Sequence, residues 1–291
     1  MINSSIGNIN NMHNSIIVSN NKGFKDKIPF GTIMRDVYDQ SGKLRYKNNS
    51  RILREDMNWN AYGNILLKEF PNGCNIHISA CSDGGEVYST MLGILKASNF
   101  DYGKLKKFRF IASDIDSAMV LRCKTGEIST VTTHNDIIYD DTEKLKEFMG
   151  ENNFKEYFLP SSNLSGYTVS PKLTNLVDFR KADITEDATK KDFFGKGKCV
   201  VMFRNAWPYI KPAENQMKLA LNLAENLPKG SMVVTGEFDT DLFRLYDKSP
   251  QRNGACGISE LMTRVGFERS YIGDDQNCYR LPEKKDLYKI K

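Results

Sequence analysis

"ISACSDGGEVYSTMLGILKAS", residues 78–98, joins three patterns. A β-type run over 76–80 meets a small, polar turn with two glycines, and an amphipathic helical pattern follows over 86–97. Strand, glycine turn, helix is how open α/β sheets hold nucleotide-like ligands. The turn has no lysine for a phosphate-cradling loop, and it does not spell G-x-G-x-x-G. Glu86 instead follows the glycines at the helix mouth. An anion there repels phosphate but suits a cationic or zwitterionic ligand.

Moving outward, "FRFIASDID" (108–116) reads as a second strand, ending in a pair of carboxylates. Asp114, at the end of that strand, can accept hydrogen bonds from both hydroxyls of a ribose. A ligand with a ribose, a positive charge and no phosphate is S-adenosylmethionine (SAM). The residues alone leave two alternatives open. One is a generic α/β nucleotide site; the other is no site, with Asp114 only capping the next helix.

The strand–helix rhythm continues. Residues 117–124 form a short helix closed by Gly126. Strands follow at 175–183, 198–206 and 231–238, with a clear amphipathic helix at 213–227 and another at 257–267. "ERSYIGDDQNCYRLP" (268–282) looks like a closing hairpin. Repeated βα units argue for an open, mostly parallel sheet with helices on both faces. "YFLPSSNLSGYTVSPKLTNLVD" (157–178) interrupts the rhythm with prolines and turn formers and reads as a small β-excursion. Upstream, "RILREDMNWNAYGNILLKEF" (51–70) reads as a helix with Ser50 as its N-cap, although Gly63 weakens it. Residues 1–22 are rich in Asn and Ser and are expected to be disordered or loosely packed. The division expected is a partly disordered tail over 1–45 and one α/β domain over 46–285.

Composition narrows the class. The 291 residues hold 41 Lys and Arg against 36 Asp and Glu, a formal charge of +5, with no dense basic run to make a nucleic-acid surface. Six scattered cysteines and no C-x-x-C pair read as a reducing, cytoplasmic chain. Three distant histidines lack ligand spacing, so no metal site is expected. No apolar run reaches the ~20 residues of a membrane helix, and no signal peptide is visible.

Seven motifs in order resemble the CheR-type methyltransferases, which use SAM to methylate glutamates of bacterial chemoreceptors. "NNSRILRED" resembles N-x-T-x-F-F-R-E, and "SACSDGGEVYS" a small-residue run with S-T-G-E-E-P-Y-S. "IASDIDSAMVLRCKTGEIS" resembles A-T-D-I-D…L…A-x-x-G-x-Y; "EYFLP" and "VDFRKADI" match a Y-F and a V-x-F-x-x-x-N-L. "VVMFRNAWPYI" resembles I-F-C-R-N-V-x-I-Y-F, and "VVTGEFD" L-x-x-G-H-S-E. The resemblance covers about 48–281. It implies a class I SAM methyltransferase fold, Rossmann-like, with a small inserted β-subdomain where the family binds a receptor tether.

Carried over residue by residue, the resemblance implies a SAM pocket lined by Asn48, Ser50, Arg54, Ala80, Glu86, Asp114, Asp183, Ile184, Arg204 and Asn205. Arg204 and Tyr209 keep the R-N-x-x-x-Y spacing of the methyl-transfer site. The acceptor implied is a protein carboxylate, with a chemoreceptor helix leading, and the product S-adenosylhomocysteine. Some positions depart from the family. Asp183 stands for Asn, Pro208 lies between Arg204 and Tyr209, "TGEFD" replaces G-H-S-E, and the place of the N-terminal helical domain holds the Asn/Ser tail. These departures keep two further readings alive: the same core with another acceptor, and a non-catalytic SAM-binding module.

Overall fold

The computed structural model describes residues 51–128, 130–134, 137–161, 166–237, 239, 257–273 and 275–283, with three short strands between 32 and 47. Asn48, Ser50 and the 1–22 segment lie outside the described residues.

Seven strands form the central sheet: β1 (Asn75–Ser79), β2 (Arg109–Asp114), β3 (Val177–Lys181), β4 (Cys199–Met202), β5 (Met232–Val234), β6 (Glu268–Ile272) and β7 (Asp275–Arg280), in the order β3-β2-β1-β4-β5-β7-β6. β1 to β5 pair in parallel, and β7 runs antiparallel to both of its neighbours. Strand alternation sends side chains to two cores. Ile76, Ile78, Val200 and Met202 face one, with helices α1 (Trp59–Glu69) and α2 (Gly85–Ala97). Cys199, Val201 and Val233 face the other. There they meet α6 (Ala213–Asn226) and α7 (Ile258–Arg264), while α3 (Ser117–Thr125) follows β2.

The helix expected over 51–70 begins only at Trp59. Asn58 caps it through a side-chain bond from the Ala61 N–H. Before that the chain is irregular: Leu53 is left-handed (φ 49°), its N–H held by Ser89 Oγ at 2.7 Å, and Trp59 Nε1 donates to the Arg54 carbonyl. Leu53 and Met57 are buried, so their spacing reflected burial rather than a helical face. Gly63 has a packing reason: a Cβ there would lie 2.0 Å from the Gly93 carbonyl oxygen, where α1 and α2 cross.

The excursion is a hairpin, Phe158–Pro160 against Tyr167–Val169, followed by a single turn at Pro171–Thr174. Sequence reading missed what precedes it. A second hairpin, Val131–His134 with Ile137–Asp140, takes Thr32–Ile33 as a parallel neighbour. Helices α4 (Thr142–Met149) and α5 (Glu151–Tyr157) then meet at Gly150.

Candidate active site

The chain order of the sheet reverses between β1 and β4, and in open α/β sheets ligands bind outside the carboxyl ends of the strands at such a point. The turn after β1 is wound tightly. Ala80 and Ser82 have positive φ (56° and 50°), and Gly84 reaches 102°. A Cβ on Gly84 would come within 2.6 Å of Cys123 Sγ and 2.8 Å of the Tyr88 ring, so only glycine fits. Ala80 itself is exposed at the lip of this turn.

Asp114 closes β2. Its Oδ2 accepts the Ser82 N–H at 2.9 Å and its Oδ1 the Asp116 N–H at 2.9 Å. The cap of α3 is Asp116, which accepts from Ala118 N–H at 2.8 Å. This removes the alternative in which Asp114 merely caps the following helix. Burial holds the Asp114 carboxyl above the ordinary carboxylate range, against the pull of the two N–H groups.

Asp183 and Ile184 follow β3. Asp183 caps the turn Ile184–Asp187, its Oδ1 accepting both the N–H and the hydroxyl of Thr185 at 2.8 Å. An asparagine Oδ1 would accept the same two bonds, so the cap itself does not depend on the change from Asn to Asp. Ile184 is buried in the core of the second face.

Arg204, just after β4, is enclosed, its side chain 1% exposed. Nη1 meets Glu86 Oε1 at 3.0 Å and Nη2 meets Asp56 Oδ1 at 3.0 Å, with the Trp59 ring beneath at 5.4 Å. Asp56 also holds Arg54 at 2.7 Å and accepts from Asn205 Nδ2 at 3.2 Å. Two guanidinium groups and two carboxylates thus form one compact cluster. Burial opposes the charge on Asp56, but Arg204 and Arg54 outweigh it and hold its carboxyl low. At Glu86 burial wins and raises the carboxyl. Burial also works against the Arg204 charge, yet Glu86 and Asp56 raise its pKa above the ordinary arginine value.

This geometry corrects one part of the electrostatic argument. Glu86 does not stand bare at the helix mouth, because Arg204 compensates it. Tyr209 sits half-buried in the turn Trp207–Tyr209, with Pro208 buried beside it. The structure gathers Arg54, Glu86, Arg204 and Asn205 into one contact set; Asp114 and Asp183 stand apart, at the ends of β2 and β3. Asp56, the hub of the cluster, was not singled out in the sequence. Its cue was position alone, two residues beyond Arg54.

The donor set fits SAM: a buried ribose-type acceptor at Asp114 and a guanidinium at Arg54 for a carboxylate. Among the described residues no group of three or more His, Cys, Asp or Glu is arranged to hold a metal ion. None of their helices is long and apolar enough to cross a membrane.

A mostly parallel seven-stranded sheet with helices on both faces, a glycine turn and a strand-end carboxylate is the class I SAM-dependent methyltransferase arrangement. The model of the CheR methyltransferase SAM-binding domain matches residues 48–249, and the chain belongs to that family. Among curated proteins it is similar to Chemotaxis protein methyltransferase Cher2 of Pseudomonas putida, 24% identical over 159 residues, or 54% of this chain and 51% of that one. The match therefore spans about half the length of this relative. Among solved structures it is similar to a TehB-like SAM-dependent methyltransferase from Corynebacterium glutamicum, 11% identical with a TM-score of 0.37, covering 76% of this chain and 87% of that one. Monomeric WbdD matches at 13% identity and a TM-score of 0.37, covering 77% and 39%.

Proposed function

We propose that the chain methylates a protein carboxylate, a glutamate side chain, with a chemoreceptor helix as the leading acceptor. The supporting observation is the gathering of Arg54, Glu86, Arg204 and Asn205 at the carboxyl end of the sheet, beside the turn after β1. When bound, SAM supplies a methyl group on a sulfonium, open to in-line attack. A carboxylate is already ionised at neutral pH, so the protein need not provide a strong base. Its residues contribute positioning and exclusion of water. Asp114 would hold the ribose hydroxyls, and the guanidinium of Arg54, anchored on Asp56, would pair with the methionyl carboxylate. The resemblance implies that Arg204 orients the acceptor carboxylate; enclosed between Glu86 and Asp56, it instead holds the cluster from behind, and the Tyr209 hydroxyl would aim the acceptor.

The test is transfer of tritiated methyl from SAM to chemoreceptor cytoplasmic fragments and to other acidic proteins. Label released by mild base as methanol is the expected result for a carboxyl ester. Base-stable label would overturn the carboxylate assignment, and binding of SAM without transfer to any acceptor would leave the non-catalytic reading.

A further inference from the structure

Asp239 lies outside the ribose end and outside the ion cluster, yet it is completely buried. Its Oδ2 accepts the N–H of Gly236 at 2.7 Å and of Asn205 at 2.8 Å, and its Oδ1 that of Trp207 at 3.2 Å. One carboxylate therefore ties the turn after β4 to the loop after β5. Asn205 has a left-handed backbone (φ 55°), a conformation asparagine adopts more readily than most residues, and its N–H is turned onto Asp239. Gly236 permits the approach, since a Cβ there would lie 2.1 Å from Asn205 Oδ1. The Asn205 side chain reaches Asp56, which holds both Arg54 and Arg204.

We propose that Asp239 is a positioning residue for the cofactor end of the site, acting through Asn205 on the Asp56 cluster. This rests on the SAM-binding reading above. Three convergent N–H groups suit a carboxylate and not an amide, which accepts with one oxygen and turns an NH2 toward the remaining donor. The nearest facing charge is Arg204 from the end of β4. Beyond it stand Glu86 on α2 and Asp56 and Arg54 on the lead-in, with exposed Glu237 in Asp239's own loop. Burial pushes the Asp239 carboxyl up to about 7, against the three N–H groups and Arg204. Above that pH the anion holds both loops; below it a proton competes for an oxygen.

The experiment is calorimetric titration with SAM and with S-adenosylhomocysteine from about pH 6 to about pH 8.5, with thermal melts alongside. Wild-type protein is expected to bind more tightly as pH rises through about 7. Asp239→Asn should bind about tenfold more weakly at the alkaline end and lose the pH step, whereas Asp239→Glu should retain a step. Gly236→Ala leaves the carboxylate but displaces the Asn205 side chain that links it to Asp56, so affinity should fall and the pH step should shrink. If Asp239→Asn does not fold, the wild-type and Gly236→Ala profiles decide. Wild-type binding with a flat profile, or an Asn variant that binds like wild type, overturns this proposal alone. Absence of wild-type binding overturns the cofactor reading and this proposal with it.

Discussion

Replacing Arg204 by Ala would leave Glu86 and Asp56 facing one another across an enclosed space, each 3.0 Å from where a guanidinium nitrogen had been. Removing one partner of a buried ion pair costs about 3–5 kcal/mol. Arg204→Ala is therefore expected to lose stability as well as transfer, and a thermal melt beside the transfer assay reads the two effects separately. Lysine is no substitute, because one ammonium does not span two carboxylates held on different nitrogens. Asp114→Ala also leaves the Ser82 and Asp116 N–H groups without their acceptor, so a thermal melt belongs beside its binding measurement. This substitution should weaken SAM binding ten- to a hundredfold, about 1–3 kcal/mol, by calorimetry. Asp114 and Arg204 were legible in the sequence because each stands within a motif at a strand end, and Glu86 because it follows the glycine turn at a helix mouth. Asp56 and Asp239 were not. Asp239's partners are backbone N–H groups, two of them more than thirty positions away, and backbone donors leave no mark in residue type.

At the scale of elements, the crossing of α1 over α2 depends on two glycines. A Cβ on Gly93 would stand 2.4 Å from the Trp59 carbonyl oxygen, and one on Gly63 2.0 Å from that of Gly93. Both atoms struck are main chain, so a helix must shift. Gly93→Ala is expected to cost about 1–3 kcal/mol, which lowers the melting temperature by roughly 2–4 °C per kcal/mol. Gly63 read as a weakness in its helix because periodicity sees one helix at a time, and the neighbour that needs the glycine is distant in sequence. The start of α1 was misplaced for a related reason. Leu53 and Met57 are buried like helical residues, but the backbone carrying them is pinned by Ser89 and turned at Leu53. The strands and helices between 131 and 157 went unread because their elements are short and mixed in composition, although the hairpin after them stood out through its prolines and turn formers.

For the whole molecule, the repeating βα pattern made the sheet legible, while the interleaving of β7 was not, since a closing hairpin can lie on an edge or within. Two buried groups give the fold an unusual response to pH. Burial, together with the charges of Arg180 and Arg109, lowers His77 from 6.5 to about 4. Over that window the unfolded chain takes up the proton first, so this group's contribution is lost as pH falls, by about 1.4 kcal/mol per unit. Asp239 moves oppositely, from 3.8 to about 7. Its folded state holds the proton longer, so its contribution is lost as pH rises. The two slopes oppose one another where they overlap. In urea unfolding, His77→Leu should remove the rise contributed by His77, so its stability should climb less steeply, or fall more steeply, with pH than that of wild type between about 4 and 6.5; an unchanged slope would contradict the assignment to His77. The interleaved strand has another consequence. β7 hydrogen-bonds to β5 on one side and to β6 on the other, and it is the last of the seven to leave the ribosome. Until it emerges, the nascent chain carries β5 with an unpaired flank, an aggregation-prone edge. The five parallel strands can be synthesised first, but the sheet closes only once β7 has emerged, and until then the flank of β5 stays open to other strands.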